Sequence, residues 1–455
     1  MSHSSMTTTF DRSPEASTVL TASRLGPALL ISVHVVLCSV SLAYVTRFYG
    51  SLMRLTEVNP DVLFKAALNI APFALISVFF SFARFNFGYL LGFYFYTMIL
   101  GYLGLIELSK FSYDHSLAYA SAFTSAIAFL IPALFIASPI KPPFVISEKA
   151  FGRFLMSIVV LASIIVGCGA VFNLRLVGLS DIYSFRNELQ FPTWLEYAMG
   201  IASNVLLPFA FAYFVTQKSW WRAALTLMLL LLFYPITLSK LSLFAPGWLL
   251  LLSLGSVLFE ARTTVVLSLL LPISVGVLLA KLFDADAITF QQFIAYFSLV
   301  NFRMVALPSS ALDYYNDFFS THELTYFCQV NFVKTFVNCP YREPLAIAMQ
   351  NAYQIGNFNA SLFATEGIAS VGMIWAPISA LVCGLIISLG NCLSSGLPPR
   401  FVLLSAGVLA QTFVNVPLTI SFVTYGAALL FLLWFLTPRS IFEPQYRVGP
   451  RSIES

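Results

Sequence analysis

The chain has 455 residues, of which 59% are apolar, 16% aromatic and only 10% charged, with a formal net charge of +4. A mean hydropathy of +0.85 excludes an ordinary soluble domain. The small net charge and the absence of any basic run exclude a nucleic-acid-binding protein.

Residues 1–25 are rich in Ser and Thr and read as a disordered cytoplasmic tail. They lack the apolar core and small-residue site of a cleavable signal, so the first helix is expected to stay in the mature chain. Apolar runs of about 18 residues or more, enough to cross a hydrocarbon core of roughly 30 Å, then recur along the chain. They fall near 26–46, 66–82, 86–107, 117–138, 154–173, 198–216, 223–239, 241–259, 264–282, 369–389, 401–416 and 420–437. The stretches 223–259 and 401–437 are too long for one helix and read as hairpins, turning at Pro235–Lys240 and Asn415–Thr419. The predicted fold is all-α, a polytopic membrane helical bundle of about 12 transmembrane helices. One membrane domain spans 26–439, with a large extracytoplasmic loop at 283–368 bearing short interfacial helices and a cytoplasmic tail at 440–455.

Positive charge in short loops sets orientation. With the N-terminus inside, inward segments carry thirteen Lys and Arg and the outward short loops seven, the bias arising after residue 139. This topology puts the 174–197 loop and the long loop on the same outward side. Cys328 and Cys339 both lie in the long loop, where they form a disulfide or stand as two unrelated thiols; the spacing fixes neither. Four scattered histidines and no CxxC or HExxH pattern give no metal site and imply no cofactor.

The segment from Phe283 to Gly372 is the one long polar stretch, holding Arg303, Lys334, Arg342, His322 and seven acidic residues. Within it, Ile288, Phe290, Phe293, Ile294 and Phe297 recur at helical spacing, which predicts an amphipathic helix at the membrane surface. A second short helix is expected after Ser309 or Ser310, carrying Asp313, Tyr314, Tyr315 and Asp317. A third, Pro344 to Gly356, opens on proline and ends at glycine. Together they form either a lid over a cavity or a cap shielding the bundle.

Arginine suits phosphate because its planar fork donates two parallel hydrogen bonds and stays charged. Arg186 and Arg303, from separate outward loops, are candidates for a diphosphate clamp; snorkelling to lipid phosphates, or pairing of Arg186 with Glu188, is the bland alternative. Arg175, at a span end, reads as an anchor. Lys240, in the outward turn of the first hairpin, either reaches phosphate or simply reaches water. General-base candidates are Asp313, Asp317, His322, Glu323 and Glu366. Glu366 is expected at the outer mouth of the tenth span, beside Gly367 and the polar run Asn357–Asn359, as a partly desolvated base or a helix-terminal acid. Asn359-Ala360-Ser361 matches a glycosylation sequon on three residues alone.

About twelve spans, the mid-chain outward run Tyr183-Ser184-Phe185-Arg186, a large outward loop with Asn301-Phe302-Arg303 and the stretch Glu366–Gly372 resemble the O-antigen polymerase (Wzy-type) family of bacterial oligosaccharide repeat-unit polymerases. The likeness covers roughly residues 150–440, and the O-antigen ligases are more distant relatives. It implies a multi-pass protein of the bacterial inner membrane that transfers a chain from undecaprenyl diphosphate to a sugar hydroxyl of another lipid-linked repeat. The family's loop arginines carry over to Arg186 and Arg303. Two departures stand out: no glycine follows Arg186 before Gly200, and Ser239-Lys240 stands where a small residue and an arginine are common.

On this reading Arg186, Arg303 and Lys240 stabilise the leaving diphosphate, Glu366 or Asp313 removes the acceptor proton, and Tyr314, Tyr315 and Trp194 pack on sugar faces. The expected partners are a polyprenyl-diphosphate-linked oligosaccharide, the lipid bilayer and a chain-length regulator protein, with no nucleic acid. Rivals are a lipid-linked oligosaccharide flippase or other transporter, a glycosyltransferase using polyprenyl-monophosphate sugars, and a ligase. The first outward loop offers only Glu57 and Asp61 where the monophosphate class carries an acidic pair, and no internal repeat supports a transporter.

Overall fold

The computed structural model describes residues 14–142, 146–178, 182, 185, 188–330, 332–354 and 360–442. Among them every regular element is helical. In chain order these are α1 (Pro14–Tyr49), α2 (Pro60–Ala74, extended by short turns to Phe82), α3 (Phe87–Leu105), α4 (His115–Phe135) and α5 (Glu148–Phe172). Next come α6 (Thr193–Ile201), which runs through a π-helical turn into α7 (Leu207–Thr216), then α8 (Trp220–Thr237), α9 (Lys240–Leu258) and α10 (Ala261–Asp284). The polar segment holds α11 (Phe290–Phe297), α12 (Leu307–Thr321) and α13 (Leu345–Tyr353). After it follow α14 (Ser370–Ser394), α15 (Pro399–Asn415), α16 (Leu418–Val423) and α17 (Ala427–Leu436).

Among the described residues, ten helices of at least 18 residues are long and apolar enough to cross a membrane. The last two expected crossings are shorter: α15 has 17 residues, and α16 and α17 are two halves parted at Gly426, whose φ of +83° suits only a residue without Cβ. α1 begins at Pro14, so the expected disordered tail over 1–25 is overtaken by helix in its second half. Chain ends of the helices gather at two faces. At one, Arg47 pairs with Asp284 at 2.8 Å, the Thr56 amide donates to the Leu108 carbonyl, and Asn173 donates to the carbonyls of Pro235 and Ile236. At the other, the Gly88 amide donates to Asn391, Arg439 to the carbonyls of Leu393 and Ser395, and Ser440 to Glu148. The polar segment belongs to the first face.

α3 is the hub: every one of its side chains is buried, because it is apolar on all sides and other helices surround it. Around it the polar segment departs in part from expectation. Thr289 caps α11 with a capping box to Gln292, and the helix is amphipathic as expected, burying Phe293 and Phe297 and exposing Phe290, Gln291 and Gln292. It continues through a π-helical stretch, Ser298–Ala306, directly into α12. Ser309 and Ser310 cap nothing, their hydroxyls bonding back to the carbonyls of Val305 and Leu307; the expected second helix, carrying Asp313, Tyr314, Tyr315 and Asp317, is α12, which starts slightly earlier at Leu307. The buried side of the stripe packs on protein, Phe293 stacking on Phe283 at 5.2 Å, and further along Phe302 stacks on Tyr49 at 4.1 Å. Asn301 plugs into the bundle, donating to Ser41 and the Ile273 carbonyl opposite Gly276, where a Cβ would come within 1.7 Å of its side chain.

A second departure follows α13. Residues Phe363–Ala369 form a π-helical arm that runs on into α14, yet Gly372 (φ 76°, ψ 169°) breaks the helix and folds the arm back along it. Ser379 donates to the Glu366 carbonyl at 2.8 Å across this fold. The foot of the arm reaches the middle of the bundle, where Phe363 packs on Phe95 and Phe129, and Ser361 meets Met98. The segment is therefore re-entrant, and irregular backbone at that depth is tolerated only where protein encloses it. Cys328 and Cys339 form a disulfide, which resolves the alternative left open by their spacing.

Candidate functional site

The clearest convergence of polar side chains lies where α12 meets the loops that follow α1 and α3. Asp313 and Asp317, one turn apart, share a face of α12. Asp313 is 2% exposed, and it accepts hydrogen bonds from the Tyr113 phenol and from Ser109. Tyr113 in turn is hydrogen-bonded to Tyr102 at 3.2 Å, and Asn316 donates to Tyr102 at 2.9 Å. Asp317 is half-exposed and accepts from Tyr353 at 2.7 Å. Burial outweighs the two donors and pushes the Asp313 carboxyl up to about 7, with the neighbouring Asp317 charge adding to the rise. Burial, with Tyr102 and Asp313 beside it, holds the Tyr113 phenol far above its ordinary value. A carboxylate poised near neutrality and joined to a half-exposed hydroxyl is suited to taking a proton.

Arg54 stands over the same site. Its guanidinium lies 5.6 Å from the Phe111 ring centre and 5.3 Å from that of Tyr353, while the residue itself is exposed. Backbone bonds fix the loop: Lys110 donates to the Arg54 carbonyl, and Leu55 and Ser109 form an isolated antiparallel bridge. Arg54 has a φ of 55°, the left-handed region, which costs a non-glycine residue roughly 1 kcal/mol or more. Two exposed cation–π contacts return about 1 to 2 kcal/mol. The two terms nearly cancel, so stability alone does not account for this placement.

Glu366, expected at the outer mouth of its span, instead sits within the bundle on the re-entrant arm at 1% exposure. Its Oε1 accepts two hydrogen bonds from Thr419, one from the amide at 2.8 Å and one from the hydroxyl at 2.7 Å. Its Oε2 is buried without a partner. The carboxylate thus clasps the first turn of α16 to the arm and is enclosed by protein.

Of the other predicted residues, Arg186 lies outside the described residues, as do Asn357–Asn359. Among the described residues nearby, Ile182 packs with Tyr234 and Leu238, and Phe185 packs against them. Arg175 pairs with Glu188 at 3.2 Å, so Glu188 serves the anchor. Lys240 is half-buried at the start of α9, and Arg303 is half-buried in the π-helical stretch near Tyr49. Tyr314 and Tyr315 are each 1% exposed; Tyr314 packs edge-on to Phe111 and Tyr353, so neither phenol ring offers a face to a sugar. Trp194, 62% exposed at the head of α6, does. His322 stacks on Phe318 with its Nδ1 against that residue's carbonyl, and Glu323 is exposed. Arg54, Tyr113 and Tyr353 were not legible as site residues, since each joins the site only through tertiary contact; the Asp313/Asp317 spacing was the one readable signal.

Comparison with protein-family models, with curated proteins and with solved structures finds no match.

Proposed function

We propose that this chain is a membrane glycosyltransferase that polymerises undecaprenyl-diphosphate-linked oligosaccharide repeats on the outer face of a bacterial inner membrane. The observation that supports it most is the outer-face cluster of Asp313, Tyr113 and Asp317, built on the polar segment the resemblance singled out. The leaving group already carries a diphosphate, so the protein need only orient the acceptor and stabilise charge. The acceptor hydroxyl oxygen forms a bond to the anomeric carbon, and the bond from that carbon to the diphosphate breaks, with the electron pair leaving on phosphate. The hydroxyl proton passes to the Tyr113 oxygen as the Tyr113 proton passes to Asp313. Arg303, Lys240 and Arg186 serve the leaving diphosphate, and Trp194 packs on sugar. Glu366 is reassigned to holding the arm and the broken helix together, because it is enclosed by protein.

A flippase for the same lipid-linked oligosaccharide is the second reading. What favours it is the meeting of a re-entrant arm with a broken helix inside the bundle at Glu366, an arrangement common around transporter sites. Deleting the gene and running the surface polysaccharide on a gel tests both. Loss of all lengths above one repeat supports the polymerase. Ladders that persist unattached to core indicate a ligase, and a repeat that never reaches the outer face indicates the flippase. Topology is tested by a membrane-impermeant thiol reagent on spheroplasts, which should label a cysteine placed at Ser320 and spare one at Ser395.

A further inference from the structure

We propose that Arg54 is an oxyanion-binding residue that receives a phosphate of the lipid-linked substrate beside Asp313. This rests on the polymerase reading and extends it to a loop, between α1 and α2, in which sequence reasoning assigned no role.

Three features of the structure carry the proposal. The guanidinium carbon lies 5.6 Å from the Phe111 ring centre and 5.3 Å from that of Tyr353, and the two ring centres are 5.6 Å apart, so the rings support the cation from one side and leave the rest of this exposed residue open to a ligand. A planar edge of parallel N–H donors matches two oxygens of a phosphate group. Second, among the described residues no carboxylate lies within ion-pair distance of Arg54, whereas Arg47, Arg175 and Arg262 each have one. Its charge is therefore not spent within this part of the protein. Third, the position is built rather than incidental. The left-handed backbone of Arg54 is pinned by the Lys110 amide and the Leu55–Ser109 bridge, and Tyr353, which supports the guanidinium, is itself held by Asp317. The ring that orients the cation is thus bonded to the same helix face that carries Asp313. A phosphate at Arg54 places the anionic end of a substrate over the acid cluster at the outer face. A phosphodiester headgroup of the bilayer offers the same chemistry, so the ligand class is a phosphate oxyanion and its source is a matter for the experiment.

The test uses purified full-length protein in phosphatidylcholine nanodiscs, titrated calorimetrically with inorganic pyrophosphate. Saturable binding is expected, weakened at least tenfold by Arg54→Gln and to a lesser degree by Arg54→Lys, with Arg175→Gln unchanged. Tyr353→Leu keeps the guanidinium and removes one supporting ring, so it should weaken binding about threefold, and it covers the case in which Arg54→Gln fails to fold. Wild-type protein without saturable binding, or binding indifferent to Arg54→Gln or to Arg54→Lys and Tyr353→Leu together, overturns the proposal. Repeating the titration in phosphatidylglycerol nanodiscs separates the sources. Loss of pyrophosphate binding there assigns the oxyanion site to a headgroup, and its persistence assigns it to the diphosphate of a substrate. The polysaccharide ladder reads the polymerase assignment separately. Arg54-dependent binding in a protein whose deletion leaves the ladder intact removes the polymerase and leaves the anion site standing.

Discussion

Two buried carboxylates, Asp313 and Glu366, were both read from the sequence as bases, and the structure surrounds them differently. Asp313 is bonded to a phenol that is half-exposed, and a second acid stands one turn away. Glu366 gives one oxygen to two donors of Thr419 and leaves the other enclosed. Nearly equal burial therefore separates into two roles. A chain of hydroxyls leading outward makes a carboxylate useful for moving protons, while a pair of donors from another helix makes it a fastener. Burial raises basicity in either setting, but only access to an acceptor turns basicity into catalysis.

The comparison breaks first at Asp313. Asp313→Asn keeps the size of the side chain and removes its ability to take a proton, so turnover of lipid-linked repeats by purified protein should fall about 100-fold or more. Turnover within a few-fold of wild type would remove Asp313 from the reaction and return attention to Glu366. Next in size is Arg303→Lys, which keeps charge and loses the bidentate fork; a tenfold loss, about 1.4 kcal/mol of transition-state binding, is expected. Full-length ladders from this variant would reduce Arg303 to a lipid anchor.

A pH series sharpens the contrast through stability. The folded carboxyl of Asp313 lies near 7, above the roughly 3.9 of an unfolded aspartate. Between these values the folded state holds more protons than the unfolded state, so this group's contribution to stability falls as pH rises from about 4 to about 7. The slope is on the order of 1.4 kcal/mol per pH unit within that window and vanishes above it. Thermal unfolding in detergent between pH 5 and 8 should show this decline in wild type and its flattening in Asp313→Asn. Activity should run the opposite way, rising through pH 7 as the base ionises. Parallel unfolding curves for the two proteins would mean that Asp313 is not the group that titrates.

The bundle itself was legible because a bilayer demands long apolar helices and little else satisfies the backbone within it. The crossings and the hairpin turns near Leu238 and Val416 were read from residues local to them. What was not legible depends on partners distant in sequence. The stripe of Phe293 and Phe297 predicts an amphipathic helix, but it does not say that the buried side packs on the rings of Phe48 and Phe283. Gly372 sits in an apolar run that looks like the start of one long span, and only its left-handed φ reveals the fold-back. The site suffers most from this. Asp313 and Asp317 share a helix and could be paired by spacing, but Arg54 and Tyr113 reach them from loops some 260 and 200 residues earlier.

The smallest effect is expected at Glu366, and it is the sharpest discriminator between fastener and base. Glu366→Gln retains the oxygen that accepts both donors of Thr419 and substitutes an amide for the partnerless Oε2. Stability should therefore change by about 1 kcal/mol or less, and turnover by less than threefold. Glu366→Ala is the informative companion, because it leaves a buried amide and hydroxyl of Thr419 without an acceptor. That should cost roughly 1 to 3 kcal/mol and loosen α16 from the re-entrant arm, readable as faster hydrogen exchange at Leu418–Val423. A glutamine variant that unfolds like wild type yet has lost turnover would invert the assignment. A neutral isostere can fill the fastener's place, and it cannot accept the proton of a hydroxyl.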